Sequence, residues 1–111
     1  MPSILSANAV WRSWVIIHCA TVPETNGRRG YPIGGQQGLL QHLAVRVTTP
    51  ANPFRPHRHE REEIWYIIEG AGLVSLDGVE HAVEAGDVII LKPWVEHGLR
   101  TEGQVKWLCL G

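Results

Sequence analysis

His57 and His59 stand two residues apart in the stretch Pro56-His57-Arg58-His59-Glu60-Arg61-Glu62-Glu63-Ile64-Trp65-Tyr66. On an extended strand, residues at that spacing point to one face, so both imidazoles can be presented to a single point. Glu63 shares their parity, and a bend in the charged Glu60–Glu62 stretch would let its carboxylate approach from an adjoining strand. Two imidazoles and a carboxylate form the facial set of three ligands that suits a divalent metal with open positions. A fourth ligand has to come from elsewhere in the chain. His97 is the best candidate, because it follows an apolar run, Asp87–Leu91, and a proline-containing turn, Lys92-Pro93-Trp94. An isolated His-x-His is more often just two polar strand residues, and Glu60, Arg61 and Glu62 read as a solvated charged turn. The combination of spacing, parity and context is what favours ligation. Trp65 has the parity of Glu63, which puts it either in the pocket wall as a substrate contact or in the core. Tyr66 and Glu62 have the opposite parity and point away.

Other reactive residue types carry weaker signals. His18, His42 and His81 have no partner at ligand spacing and read as hydrogen-bonded core or surface residues. Cys19 and Cys109 are too few and too far apart for a disulfide framework, and both lie in apolar runs that suit burial as small hydrophobes. The Arg28-Arg29 pair could bind an anion, although a solvated charge pair is its commoner use. Gly34-Gly35-Gln36-Gln37-Gly38 lacks the Lys-Ser/Thr of a phosphate loop and does not join a strand to a helix.

The elements that must position these residues are short. Apolar runs at Trp11–Cys19, Leu39–Thr48, Ile64–Glu69, Leu73–Leu76, Val79–Val83, Asp87–Leu91 and Val105–Leu110 are separated by PETNG, NPFRP, EGAG, LDG, EAGD and TEGQ. Asp77-Gly78 is a hairpin signal. No segment of ten residues keeps a helical period, so the expectation is an all-β sandwich or barrel. Residues 20–38 hold two Pro and five Gly and read as a long loop or arm. The expected organisation is one domain overall, with an N-terminal strand and arm over 1–38 and a barrel over 39–111. With 111 residues the chain can bury a single core.

A formal charge of −1 gives no sign of a polyanion partner such as duplex DNA, which needs a concentrated basic face, so no nucleic-acid partner is expected. Apolar runs such as Trp14–Ile17 and Val88–Leu91 fall far short of the ~20 residues of a membrane span. Arg12 interrupts the first apolar stretch and makes it a poor signal peptide, so the expected location is cytoplasmic.

The two histidine-bearing segments resemble the paired motifs of the cupin superfamily. The first motif, His-x-His, three residues, Glu, six residues, Gly, reads as His57, His59, Glu63 and Gly70. The second, Gly-Asp followed by an apolar strand, a proline turn and His, reads as Gly86-Asp87 through Pro93 to His97, after a fifteen-residue gap. The resemblance spans about residues 39–110. Its departures are Ala51 and Trp94 at usual glycines, Lys92 at a usual proline and Thr101 at a usual asparagine. None is a ligand position, but the bulk of Trp94 bears on the pocket mouth. The resemblance implies a double-stranded β-helix, the jelly-roll barrel of the cupins. It also implies one divalent transition metal (Mn, Fe, Ni, Co or Zn) on His57, His59, Glu63 and His97.

Relatives of this superfamily include dioxygenases, lyases and isomerases, so the first expectation is an enzyme holding a small oxygen-rich substrate on the metal. The alternative is a non-catalytic module that binds or senses a sugar or carboxylate. Small single cupins commonly pair, which makes a homodimer possible. The Trp-rich first strand, Trp11 and Trp14, could add to a neighbour's sheet or lie in its own core.

Overall fold

Residues 13–111 are described by a computed structural model, and nine short strands account for nearly all of their regular structure. The strands are β1 (Arg28–Gly30), β2 (Leu43–Thr48), β3 (Phe54–His57), β4 (Glu63–Glu69), β5 (Ala71–Leu76), β6 (Val79–Glu84), β7 (Val88–Leu91), β8 (His97–Arg100) and β9 (Val105–Leu110). They form a five-stranded sheet in the order β1-β2-β9-β4-β7 and a four-stranded sheet in the order β3-β8-β5-β6. All pairs are antiparallel. This is the jelly-roll form of the double-stranded β-helix, and the all-β expectation holds. No helix of the described residues is long and apolar enough to cross a membrane.

Period-2 alternation builds the core. Along β4, Glu63, Trp65 and Ile67 are buried while Ile64 and Tyr66 face outward, and along β9 Val105, Trp107 and Cys109 are buried. Their register places Trp65 opposite Cys109 and Ile67 opposite Trp107, and the Trp65 and Trp107 rings pack with centroids 4.2 Å apart. Val74, Ile89, Leu91 and Leu99 close this cluster from the other strands. The outer face is less conventional. Ile64 opposes Ile90, and Tyr66 opposes Val88, four exposed apolar residues beside edge strand β7.

Two turns show why particular residues occupy them. Asp77 and Gly78 both have positive φ, +50° and +85°, as a tight type I′ hairpin between β5 and β6 requires. Gly70 turns β4 into β5 at φ +86°, and a Cβ there would collide with the Gln104 carbonyl oxygen.

Strand boundaries depart from the sequence reading in several places, and the expected Leu39–Thr48 strand begins only at Leu43. Residues 13–18 form no strand and Cys19–Thr21 make a 3-10 turn, while the beginning of the expected Trp11–Cys19 strand, with Trp11, lies outside the described residues. Three residues of the expected arm, Arg28–Gly30, form β1 against β2. Phe54–His57, of which all but His57 read as turn, is β3; it carries Pro56 and lies at a sheet edge, where a missing N–H is tolerated. His97–Arg100 is β8, whose Gly98 leaves room for the close approach of Phe54 and Pro56 on β3.

Candidate metal centre

His57 on β3 lies directly opposite His97 on β8, so the two imidazoles share one face across the pair. His59, two residues past the end of β3, folds toward them, and its carbonyl accepts a hydrogen bond from the Trp94 N–H at 2.8 Å. The ring centroids are 4.5 Å apart for His57–His97, 4.8 Å for His59–His97 and 5.4 Å for His57–His59. One ring nitrogen from each of the three lies within 4.8 Å of the others, comparable to the roughly 4 Å that separates opposite ligands on one ion. Glu63 enters from the facing sheet, as the first residue of β4. Its Oε2 is 3.3 Å from His59 Nε2 and its Oε1 is 3.8 Å from His97 Nε2. The chain bends at Glu60 and Arg61, which is what lets residues 59 and 63 approach each other.

Backbone carbonyls fix how the imidazoles are used. His57 Nδ1 is 3.1 Å from the Arg55 oxygen, and His97 Nδ1 is 2.8 Å from the Val95 oxygen. A carbonyl oxygen only accepts, so each Nδ1 carries the proton and each neutral ring offers the lone pair of Nε2. His97 Nε2 and both ring nitrogens of His59 are buried and make no hydrogen bond. Buried polar atoms are nearly always satisfied; orphaned nitrogens clustered beside a buried carboxylate are what a cation's donor set requires. These residues fit a metal ion.

Electrostatics point the same way. Burial depresses the His97 pKa below the ordinary histidine value, and the neighbouring His57 adds to that effect. Burial alone would raise the Glu63 pKa. The Trp65 indole N–H, the Cys109 thiol and nearby His59 and His42 outweigh it and hold the carboxyl below its usual range. Trp65 itself is completely buried, donates from Nε1 to Glu63 Oε1 at 3.1 Å, and sets its ring edge-on to His97 at 5.5 Å. Of the two positions its parity allowed, it lies in the core and touches the centre through Glu63. Tyr66 and Glu62 are exposed on the other side, as their parity required.

Sequence reasoning missed the far side of Glu63. His42, read as an isolated core or surface residue, places Nε2 3.7 Å from Glu63 Oε2 and 3.3 Å from Cys109 Sγ, and these three residues also bring ligand atoms within 4.8 Å of one another. No local motif signals this. It follows from the strand order β2-β9-β4, which puts Leu43 beside Leu110 and Leu110 beside Ile64. Burial, followed by the charge of Glu63, pushes the Cys109 thiol up to about 12, so it stays protonated. The expectation of burial fails for Cys19, which is exposed because described residues 13–21 join no sheet; its sulfur receives the Arg29 Nη1 donor at 2.8 Å. Beside the centre opens a cavity of about 280 Å³, lined in part by His42, Arg46, Phe54, His57, His59 and Glu63.

Comparison with known proteins agrees with this architecture. The model of the cupin domain family matches residues 44–111. The chain is 41% identical over 56 residues to dimethylsulfoniopropionate lyase DddW of Ruegeria pomeroyi, a match covering 50% of this chain and 37% of the lyase. It is 41% identical over 56 residues to acireductone dioxygenase of Phaeosphaeria nodorum, covering 46% of this chain and 32% of that enzyme. The matches thus span little more than a third of the lyase and just under a third of the dioxygenase. Among solved structures, a predicted oxalate decarboxylase from Thermotoga maritima superimposes with a TM-score of 0.71 over 86% of this chain and 96% of its own, at 19% identity, a likeness of fold. With a family model covering more than half its length and a jelly-roll fold like that of the solved structure, the chain belongs to the cupin family.

Proposed function

We propose that this cupin is a metal-dependent enzyme acting on a small oxygen-rich substrate, with His57, His59, Glu63 and His97 as the ligands of one divalent transition metal. The carrying observation is the set of buried, hydrogen-bond-free nitrogens on His59 and His97 beside the Glu63 carboxylate. Nitrogen and oxygen donors without thiolate suit Mn, Fe, Ni, Co or Zn. Such an ion supplies Lewis-acid chemistry, or one-electron chemistry when it is redox-active. The chain's own contribution is orientation. Arg55 and Val95 carbonyls aim two imidazoles, Trp65 holds one oxygen of Glu63, and the 280 Å³ cavity opens beside them. The reaction class is an isomerisation, an elimination or an oxygenation; the lyase and dioxygenase among its relatives support the latter two.

The test is elemental analysis of untreated protein, then turnover assays of the Mn(II)- and Fe(II)-loaded forms against small hydroxy- and ketocarboxylates, with O₂ uptake recorded. Near-stoichiometric metal and an activity lost in His59→Ala are expected. A metal-free native protein that also fails to take up Mn(II), Fe(II) or Zn(II) would falsify the reading. Tight ligand binding without turnover would assign the alternative, a binding module. A homodimer belongs to the same reading, supported by the apolar Ile64–Ile90 and Tyr66–Val88 pairs beside edge strand β7; light scattering should give twice the chain mass, and Ile90→Glu the single mass.

A further inference from the structure

Arg28 and Arg46 face each other directly across β1 and β2. Like charges at that position repel and destabilise a sheet, and both residues line the cavity beside the metal centre. Arg61 lines it as well, its Nη1 3.3 Å from His42 Nδ1. Against these three guanidinium groups the cavity wall has one carboxylate, that of Glu63, which already lies among three imidazoles. Among the described residues Arg46 makes no hydrogen bond or ion pair with a side chain. Its guanidinium instead lies 4.6 Å from the Phe54 ring centroid and 5.7 Å from that of Trp107, aromatic faces that steady the cation without neutralising it. Arg100, by contrast, grips Glu80 through two hydrogen bonds of 2.6 and 2.8 Å. Burial and the facing Arg28 pull the Arg46 pKa below its ordinary value, the direction expected for a cation short of counter-charge. Gly30 leaves the space into which the Arg28 guanidinium folds, so β1 delivers that charge to the cavity.

We propose that this cavity is an oxyanion subsite, in which Arg46, seconded by Arg28, holds the carboxylate of a small ligand whose remaining oxygen donors reach the metal. A guanidinium fork matches a carboxylate with two parallel hydrogen bonds. The bound anion also relieves the Arg28–Arg46 repulsion, so both effects favour charge over a neutral isostere. The inference deepens the function proposed above and rests on it only for the metal end of the ligand.

The test uses malonate and its neutral counterpart malonamide as probes. Calorimetry and tryptophan fluorescence, which the neighbouring Trp107 should report, follow binding to the metal-free and Mn(II)-loaded full chain, and Mn(II) affinity is measured separately by electron paramagnetic resonance. Wild-type protein should bind malonate and bind malonamide at least about tenfold more weakly. Arg46→Gln should lower malonate affinity about tenfold or more, the scale of a lost charge-assisted contact, and leave malonamide and Mn(II) affinity unchanged. Arg46→Lys should fall between, and Arg28→Gln, at an exposed strand position, should weaken malonate several-fold even if Arg46→Gln does not fold. The proposal is overturned if wild type binds no malonate, if malonamide matches malonate, or if Arg46→Lys and Arg28→Gln both bind malonate as wild type does. Arg46-dependent malonate binding in a protein that takes up no Mn(II) would instead remove the metal reading and leave the anion subsite standing.

Discussion

Glu63 divides two clusters that look alike in composition and differ in how the chain makes them. On one side stand His57, His59 and His97, with carbonyl-oriented rings or hydrogen-bond-free nitrogens. On the other stand His42 and Cys109, in contact with each other at 3.3 Å. Both sides gather ligand-type atoms within 4.8 Å, so proximity alone does not rank them. Protonation does. The Nε2 of His97 and both ring nitrogens of His59 are buried without a hydrogen bond, whereas Cys109, pushed up to about 12, holds its proton against the cost of a second buried anion beside Glu63. The lesson is that donor availability, and not the count of His and Cys, separates a ligand set from its supporting wall.

That ranking can be broken most directly at the ligands. His97→Ala should weaken metal binding by about 100-fold or more, because ligand loss exceeds the 10–100-fold typical of supporting residues, whereas His42→Ala should cost less than about tenfold; equal losses in a competition assay would erase the distinction. Trp65→Phe keeps the ring but removes the donor to Glu63 Oε1, and should cost about tenfold in metal affinity with little change in the far-ultraviolet spectrum.

Acid acts on both sides of Glu63 in one direction. His97 and His42 have folded-state pKa values below the unfolded histidine value, so the unfolded chain binds the extra protons. Their contribution is complete above about pH 6.5 and is lost as pH falls through the folded values; depressed Glu63 adds a further loss below its ordinary 4.5. Denaturant midpoints of the metal-free protein should therefore fall steadily from pH 7 to pH 4, and a flat profile would contradict the burial described for these groups. With His57, His59 and His97 as the proposed ligands, Mn(II) affinity should fall over the same range, since ligating imidazoles must be neutral.

The two thiols offer a milder contrast. Iodoacetamide at pH 8 should label exposed Cys19 in the native protein and reach Cys109 only after unfolding, as peptide mass mapping would show. The smallest effect concerns Trp94, which sits at φ +67° where a family glycine is usual. A left-handed side-chain residue costs about 1–2 kcal/mol, and glycine loses about 0.5–1 kcal/mol of entropy. Trp94→Gly should then stabilise the protein by up to about 1 kcal/mol in urea unfolding.

Much of this was legible before any coordinates. Parity along β4 correctly separated Glu63 and Trp65 from Tyr66, because alternation is a local property of an extended chain. The Asp77-Gly78 hairpin was legible for the same reason. What was hidden depends on register between distant strands. Nothing near His42 announces Glu63, twenty-one residues on, and nothing in Arg28-Arg29 says that one side chain turns to a cavity while its neighbour contacts Cys19 and Glu24. Most of β3 and all of β8 escaped notice because Pro56 and Gly98, which argue against strands locally, suit an edge and a close crossing.

The indole donor on Glu63 has one more consequence. Oε1 must remain an acceptor for Trp65, so a glutamine at position 63 would be forced to turn its amide nitrogen to the place of Oε2, between His59 and His42. There one of its hydrogens would cap the His59 Nε2 lone pair that the proposed ion needs, and the other would face His42 Nε2. Replacement of a carboxylate by its nearest isostere, usually the gentlest of changes, would here plug the centre from within.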